Sequence, residues 1–232
     1  METDNLTALT IGEMVAQDFR LAEIFKNNRI DFCCGGKKSL TEVCEESNLN
    51  QQLLVREINL IKATPTKPGQ DFRSWKVDFL CDYICNTHHQ YVLQTLPQLM
   101  TYTQKIADVH GDHHPELIEL AVLFSKINEE LSQHLKQEEE VLFPAIKHFL
   151  THKDTLSKEI IDSEIARMVG EHDFAGGAMD YISKLTQHYK LPEDSCNTYA
   201  VAFKLLEQFE DDLHIHVHLE NNILYPAALN LN

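Results

Sequence analysis

The sequence predicts an all-α protein, an up-down four-helix bundle preceded by a small helical domain, and three observations carry that prediction. The first is a repeat. Glu130 to Ala145 reads acid-x-x-x-His-x-x-x-Glu-x-x-x-Leu-aromatic-Pro-Ala, and Asp212 to Ala227 repeats the pattern 82 residues on. Upstream, His89 lies 45 residues before His134 and His172 lies 44 before His216, so the domain consists of two similar halves. The second is helical periodicity in four long stretches joined by short connections, which makes neighbouring helices antiparallel. The third is a break at Thr64-Pro65-Thr66-Lys67-Pro68-Gly69-Gln70, with two prolines and a glycine in seven residues. The expected organisation is a small domain over 1–63, a linker over 64–75 and the bundle over 76–232.

Taken in order, Thr10 with Glu13 forms a capping-box pattern that opens a helix. Its apolar positions are Ile11, Met14, Val15, Phe19, Leu21, Ile24 and Phe25, and Asn27-Asn28 ends it. Ile30-Asp31-Phe32-Cys33-Cys34-Gly35-Gly36-Lys37-Lys38 reads as a tight turn by its glycines. Ser39 with Glu42 is a second capping box, and Asn50 caps a third helix through Ile61. The bundle helices are expected over 76–109, 115–150, 158–188 and 193–229, with Pro97, Pro144 and Pro226 as kinks.

Composition bounds the function. At 232 residues, 43% hydrophobic and 24% charged, the chain has the make-up of a soluble globular protein with a sizeable core. A formal net charge of −16 argues against a nucleic-acid partner, and bound cations would offset part of it. Met1 to Asn5 shows no basic region followed by an apolar run, and no stretch approaches the length of a membrane span. Six cysteines (33, 34, 44, 81, 85 and 196) in a chain this long are expected as free thiols in a reducing cytoplasm.

The repeat carries the chemistry. Residues i and i+4 of a helix share a face, so His134 with Glu138, and His216 with Glu220, each point into one small volume. With His89 and His172 from two further helices, four imidazoles and two carboxylates converge in the bundle core. Buried carboxylates ask for compensating cations, and two metal ions supply it. If both glutamates bridge, each ion gains two histidines and two carboxylate oxygens, a shared solvent bridge adds a fifth ligand, and one position stays open. The nitrogen and oxygen donor set without thiolate suits iron or manganese better than structural zinc. Ferritin-like bundles use Glu-x-x-His pairs instead, and these are absent at the repeated positions. A single His-x-x-x-Glu pair would be unremarkable on a solvated helix face; two in register, each preceded by a histidine at matched distance, point to metal.

Other residues leave readings open. Glu130 and Asp212, one turn before His134 and His216, either hydrogen-bond the outer ring nitrogens or are surface acids. Glu139 is expected to point into solvent, and His88, about 100° around the helix from His89, to be exposed. His214 and His218 face away from His216. His110, His113 and His114 form either a polar loop or an extra metal contact, while His148, His152 and His188 read as surface residues. Cys33 and Cys34 precede Gly-Gly-Lys-Lys, where positive charge and backbone N–H groups would lower a thiol's pKa, which favours a redox or metal-handling role over simple burial. Cys44, Cys81, Cys85 and Cys196 are expected to be buried, with Cys81 and Cys85 near the metals.

Ile30-Asp31-Phe32-Cys33-Cys34-Gly35-Gly36 resembles the N-terminal signature of the repair-of-iron-centres proteins, and the repeated His-x-x-x-Glu arrangement resembles their hemerythrin-like C-terminal domain. The match covers nearly the whole chain. The resemblance implies a non-haem di-iron centre held by His89, His134, Glu138, His172, His216 and Glu220, with an oxo or hydroxo bridge, and functional thiols at Cys33 and Cys34. It implies repair of iron–sulfur clusters damaged by nitric oxide or peroxide, with the damaged iron–sulfur proteins as partners and a homodimer as a common family state. Oxygen-carrying hemerythrins have an extra histidine, so this ligand set departs from reversible oxygen storage. Three expectations follow: a donor of iron or electrons to damaged clusters, a reductase of nitric oxide at the open position, or a sensor of nitric oxide or oxygen. The first 63 residues lack a recognition helix or catalytic signature, which counts against the sensor.

Overall fold

The computed structural model describes residues 9–64 and 71–231; Met1 to Asn5, and Pro65 to Gln70 of the expected linker, lie outside the described residues. Among the described residues there is no strand, only an isolated bridge between Thr10 and Ser39. The chain forms two compact units, residues 1–80 with 214–232, and residues 81–213.

The first unit contains α1 (Ile11–Gln17), α2 (Leu21–Asn27), α3 (Leu40–Glu46) and α4 (Gln51–Lys62). Both capping boxes form, and the Asn50 side chain accepts from the Gln52 and Leu53 amides, so the expected N-termini are in place. The single helix expected from Thr10 to Phe25 is two helices. Asp18 leaves α1 in an extended conformation, and its carboxylate accepts from the Arg20 backbone N–H at 3.3 Å and from its Nε at 2.8 Å. Such local side-chain bonds compete with the helical ladder. Ile11, Met14, Phe25, Leu40, Leu54 and Ile58 build the core, and Gly35–Lys37 makes the expected turn as one turn of 3-10 helix.

The rest of the chain is α5 (Val77–Ile84), α6 (Gln90–His110), α7 (Glu116–Gln137), α8 (Phe143–His152), α9 (Thr155–Leu185), α10 (Asn197–Leu219) and α11 (Tyr225–Leu229). These cover the four expected stretches with shifted ends. Asp154 caps α9, accepting from the Ser157 amide, so the helix begins at Thr155, three residues before the expected start. Gln187, His188 and Tyr189 all have left-handed backbone, so α9 ends before His188. In the second unit α6 packs on α7, and α7 and α8 both pack on α9. Phe209 of α10 meets Phe124 of α7 edge-on, with ring centroids 5.8 Å apart.

Three π-helical turns interrupt the long helices: Cys85–His89, Glu138–Leu142 and Glu220–Leu224. Phe143 N–H reaches back five residues to the Glu138 carbonyl, and Tyr225 N–H does the same to Glu220. Pro144 and Pro226 follow at the start of the next α-segment, where no N–H is required. Each expected kink after the repeat is therefore preceded by a widened turn. Helix α6 runs through Pro97.

Candidate metal centre

Four of the six expected ligands lie in the unit formed by residues 81–213, and the π-turns position them. His89 closes the first turn and Glu138 opens the second, while His134 sits one turn earlier on α7 and His172 comes from the uninterrupted α9. All four side chains are buried, with Glu138 and His89 at 0% exposure. Glu138 Oε2 lies 3.3 Å from His89 Nε2 and 3.3 Å from His134 Nε2, so one carboxylate oxygen is shared between two imidazoles. His172 Nε2 stands 3.0 Å from His134 Nε2.

The outer faces of the rings are held by acids. His89 Nδ1 meets Glu139 Oε1 at 2.9 Å, and His134 Nδ1 meets Glu171 Oε2 at 2.8 Å. An ionised carboxylate only accepts, so each Nδ1 donates its hydrogen outward and each Nε2 turns a lone pair inward. The His134 bond draws the Glu171 carboxyl below its ordinary range, against burial, and Arg167, which bonds Glu171 from one turn away, helps.

Of the two readings left open for Glu130, the structure shows the surface acid: it is exposed, and the acid on His134 is Glu171 of the neighbouring helix. Asp212 bonds His88 Nδ1 at 2.9 Å, and His88 is buried. Glu139, with 42% of its side chain exposed, turns back onto His89 instead of pointing wholly into solvent. Glu171 and Glu139 act through rings on other helices, so no i to i+4 spacing could have shown them; that each adjoins a ligand, Glu171 next to His172 and Glu139 next to Glu138, was the only sequence signal.

The second pair, His216 and Glu220, belongs to the unit formed by residues 1–80 with 214–232. It keeps the helical spacing, with Nε2 3.0 Å from Oε1, and both side chains are buried. His218 is buried too, packed edge-on to Phe32 with ring centroids 5.6 Å apart, and burial lowers its pKa to about 4. In the same unit, Cys33 Sγ lies 4.0 Å from Cys34 Sγ and 3.0 Å from Asp31 Oδ1. The expected thiolate at Cys33 is overturned. The bond with Cys34, burial and the Asp31 charge all push its pKa well up, while Lys38 is drawn off to Glu46. Asp31 also accepts from the Cys33 and Gly35 amides, at 2.8 and 2.7 Å, which fixes the turn.

Of the cysteines expected to be buried, Cys44 and Cys81 are, Cys85 is half-buried, and Cys196 is exposed. Cys196 lies 3.2 Å from His110 Nε2, and that bond, with backbone N–H groups at the start of α10, lowers its pKa to about 7. His110 and His114 form a polar cluster, His114 bonding Asp194 at 3.0 Å. His148, His152 and His188 are exposed, as expected.

The donor chemistry fits a metal. Imidazole lone pairs and a carboxylate oxygen face one another at 3.0–3.3 Å inside a buried pocket, and groups that all present lone pairs are held together by a cation between them. His134, Glu138 and His172 have ligand atoms within 4.8 Å of one another. The site is a His/Glu metal site of the kind that binds iron.

The comparisons agree. The hemerythrin HHE cation binding domain matches residues 82–228, and ScdA_N, a domain of unknown function, matches residues 7–62. The iron-sulfur cluster repair protein YtfE of Yersinia pseudotuberculosis serotype O:1b is 32% identical over 220 residues, covering 95% of this chain and 96% of the relative. The protein of the same name in Yersinia pestis strain Pestoides F is 31% identical over the same share of each chain. With both domains matched in order and relatives spanning nearly the full length, the chain belongs to the repair-of-iron-centres family of iron–sulfur cluster repair proteins.

Proposed function

We propose that this protein repairs iron–sulfur clusters damaged by nitrosative or oxidative stress, in the cytoplasm, by supplying iron or reducing equivalents to the damaged proteins. The observation that carries the reading is the buried Glu138 carboxylate shared between His89 and His134, whose outer nitrogens are fixed by acids. His89, His134, Glu138, His172, His216 and Glu220 would hold a di-iron centre. The in-register repeat supports this, because the second pair reproduces the spacing and burial of the first.

Bound iron would supply an exchangeable, redox-active cation able to take a small ligand. The residues of the chain do the rest. Glu139 and Glu171 hold the Nδ1 hydrogens of His89 and His134 outward, and burial shields the two rings from water. Few protein ligands per ion make the iron easier to give up than a fuller shell would. Residues 1–63 act as a module joined to the bundle over 76–232 by the linker at 64–75. Its Cys33 and Cys34, with sulfurs 4.0 Å apart, handle metal as a pair of thiol donors.

The test is reactivation. Anaerobic, iron-loaded protein should contain two irons per chain and restore a nitric-oxide-damaged iron–sulfur enzyme, while His134→Ala with His216→Ala should do neither. Iron-loaded protein that leaves the damaged enzyme inactive would refute the reading.

A further inference from the structure

The two imidazoles that share Glu138 Oε2 are held on their outer sides in different ways. Glu171 uses both of its oxygens: Oε2 accepts from His134 Nδ1 at 2.8 Å, and Oε1 accepts from Arg167 Nη1 at 2.5 Å. Arg167 turns the other arm of its fork to Glu164, with Nη2 2.6 Å from Oε2, and the same oxygen accepts from Gln137 Nε2 at 3.3 Å. The bonds therefore leave α7 at His134 and run along one face of α9, where Glu164, Arg167 and Glu171 stand at i, i+3 and i+7. They return to α7 at Gln137, the residue before Glu138. The loop closes on itself. His89 has Glu139 instead, bonded through Oε1, and that side chain is 42% exposed against 26% for Glu171. A carboxylate pinned at both oxygens cannot turn, whereas an exposed one pinned at a single oxygen keeps rotamer freedom that must be given up to hold the ring.

We propose that Arg167 is a positioning residue: by pinning Glu171 it locks the His134 ring, so that the His134/His172 side of the centre keeps its iron while the His89 side gives its iron up first. The planar guanidinium suits the task, because its two arms reach two carboxylates at a fixed angle, which an ammonium on a flexible stem does not reproduce. The outer partner of a ligating histidine is worth about 10–100-fold in metal affinity, so bracing one ring and not the other separates the two sides. An ion pair this exposed, with 37% of the Arg167 side chain in solvent, adds little to stability. Its effect on the ring is therefore separable from any effect on the fold. The order of release rests on the proposed iron centre; the locking of His134 does not.

The experiment uses the full-length chain. In the metal-free form, NMR of nitrogen-labelled histidine rings should show a slowly exchanging Nδ1–H on His134. Arg167→Ala should speed that exchange about tenfold and leave His89 as it was. In the iron-loaded form, kept anaerobic and challenged with a chelator, iron should leave in two phases. Arg167→Ala should speed the slow phase about tenfold, and Glu139→Gln should speed the fast phase alone. The melting temperature of metal-free Arg167→Ala should stay within about 3 °C of the wild type. A His134 proton unmoved by Arg167→Ala, iron leaving in one phase, or a slow phase at the wild-type rate in Arg167→Ala overturns the proposal. If Arg167→Ala does not fold, Arg167→Lys, which keeps the charge and loses the fork, is read in the same way. Protein that takes up fewer than two irons ends the proposed centre and with it the order of release, while the His134 exchange still decides the role of Arg167.

Discussion

Cys196 shows what a single hydrogen bond does to a surface group. With His110 holding its pKa at about 7, roughly half of the thiol is ionised at neutral pH, against about three hundredths for an ordinary cysteine. Its alkylation rate should therefore rise through pH 7 and level off above pH 8, and His110→Ala should slow the reaction at pH 7 by about tenfold or more. Mass-spectrometric rates at that cysteine decide; a curve centred near 9 in the wild type would refute the pairing. At Glu171 the expected effect is on metal. Glu171→Gln keeps the shape but removes the charge that orients His134, and iron affinity should fall about 10–100-fold with little change in helicity. The pairing of His134 with Glu138, and of His216 with Glu220, was legible because i, i+4 spacing is a property of one helix. The acids behind them were not, since Glu171 reaches His134 from a neighbouring helix and Asp212 turned out to serve His88.

Among the helices, the caps were the most legible features. Thr10, Ser39 and Asn50 satisfy orphan amides with their own side chains, a local rule that needs no tertiary information. Ser39→Ala should destabilise the N-terminal unit by about 1 kcal/mol, read as a shift in denaturant midpoint at constant slope. The π-turns were hidden. Sequence showed prolines at matched positions and suggested kinks, but the helix widens before each proline. Pro144→Ala restores an amide hydrogen and lets an α-register compete with the π-register at Glu138. Iron affinity should fall more than thermal stability does, and an unchanged affinity would remove the link between the turn and the ligand.

Over the whole molecule, the repeat and the all-helical class were open to inspection, whereas the grouping of residues 214–232 with the first 80 was not. That grouping depends on a close approach between distant parts of the chain. A Cβ on Gly12 would stand 2.3 Å from Asn222 Oδ1, and Asn222 Nδ2 donates to the Phe32 and Cys33 carbonyls at 3.3 Å each. Gly12→Ala should cost about 1–3 kcal/mol by overpacking, part of it recovered when Asn222→Ala is added. Metal links to stability at the same scale. At free iron a hundredfold above its dissociation constant, binding stabilises the folded state by about 2.7 kcal/mol, so chelation should lower the melting temperature by about 5–10 °C.

A π-turn is a helix holding one residue more than its register can use. Removing a single residue between Glu139 and Val141 would let that segment close as ordinary α-helix, with the helix beyond it keeping its place. The widened turn closed by the Phe143 amide on the Glu138 carbonyl would vanish, so the surplus residue is a spacer that sets where Glu138 stands on its turn while every ligand remains in the chain.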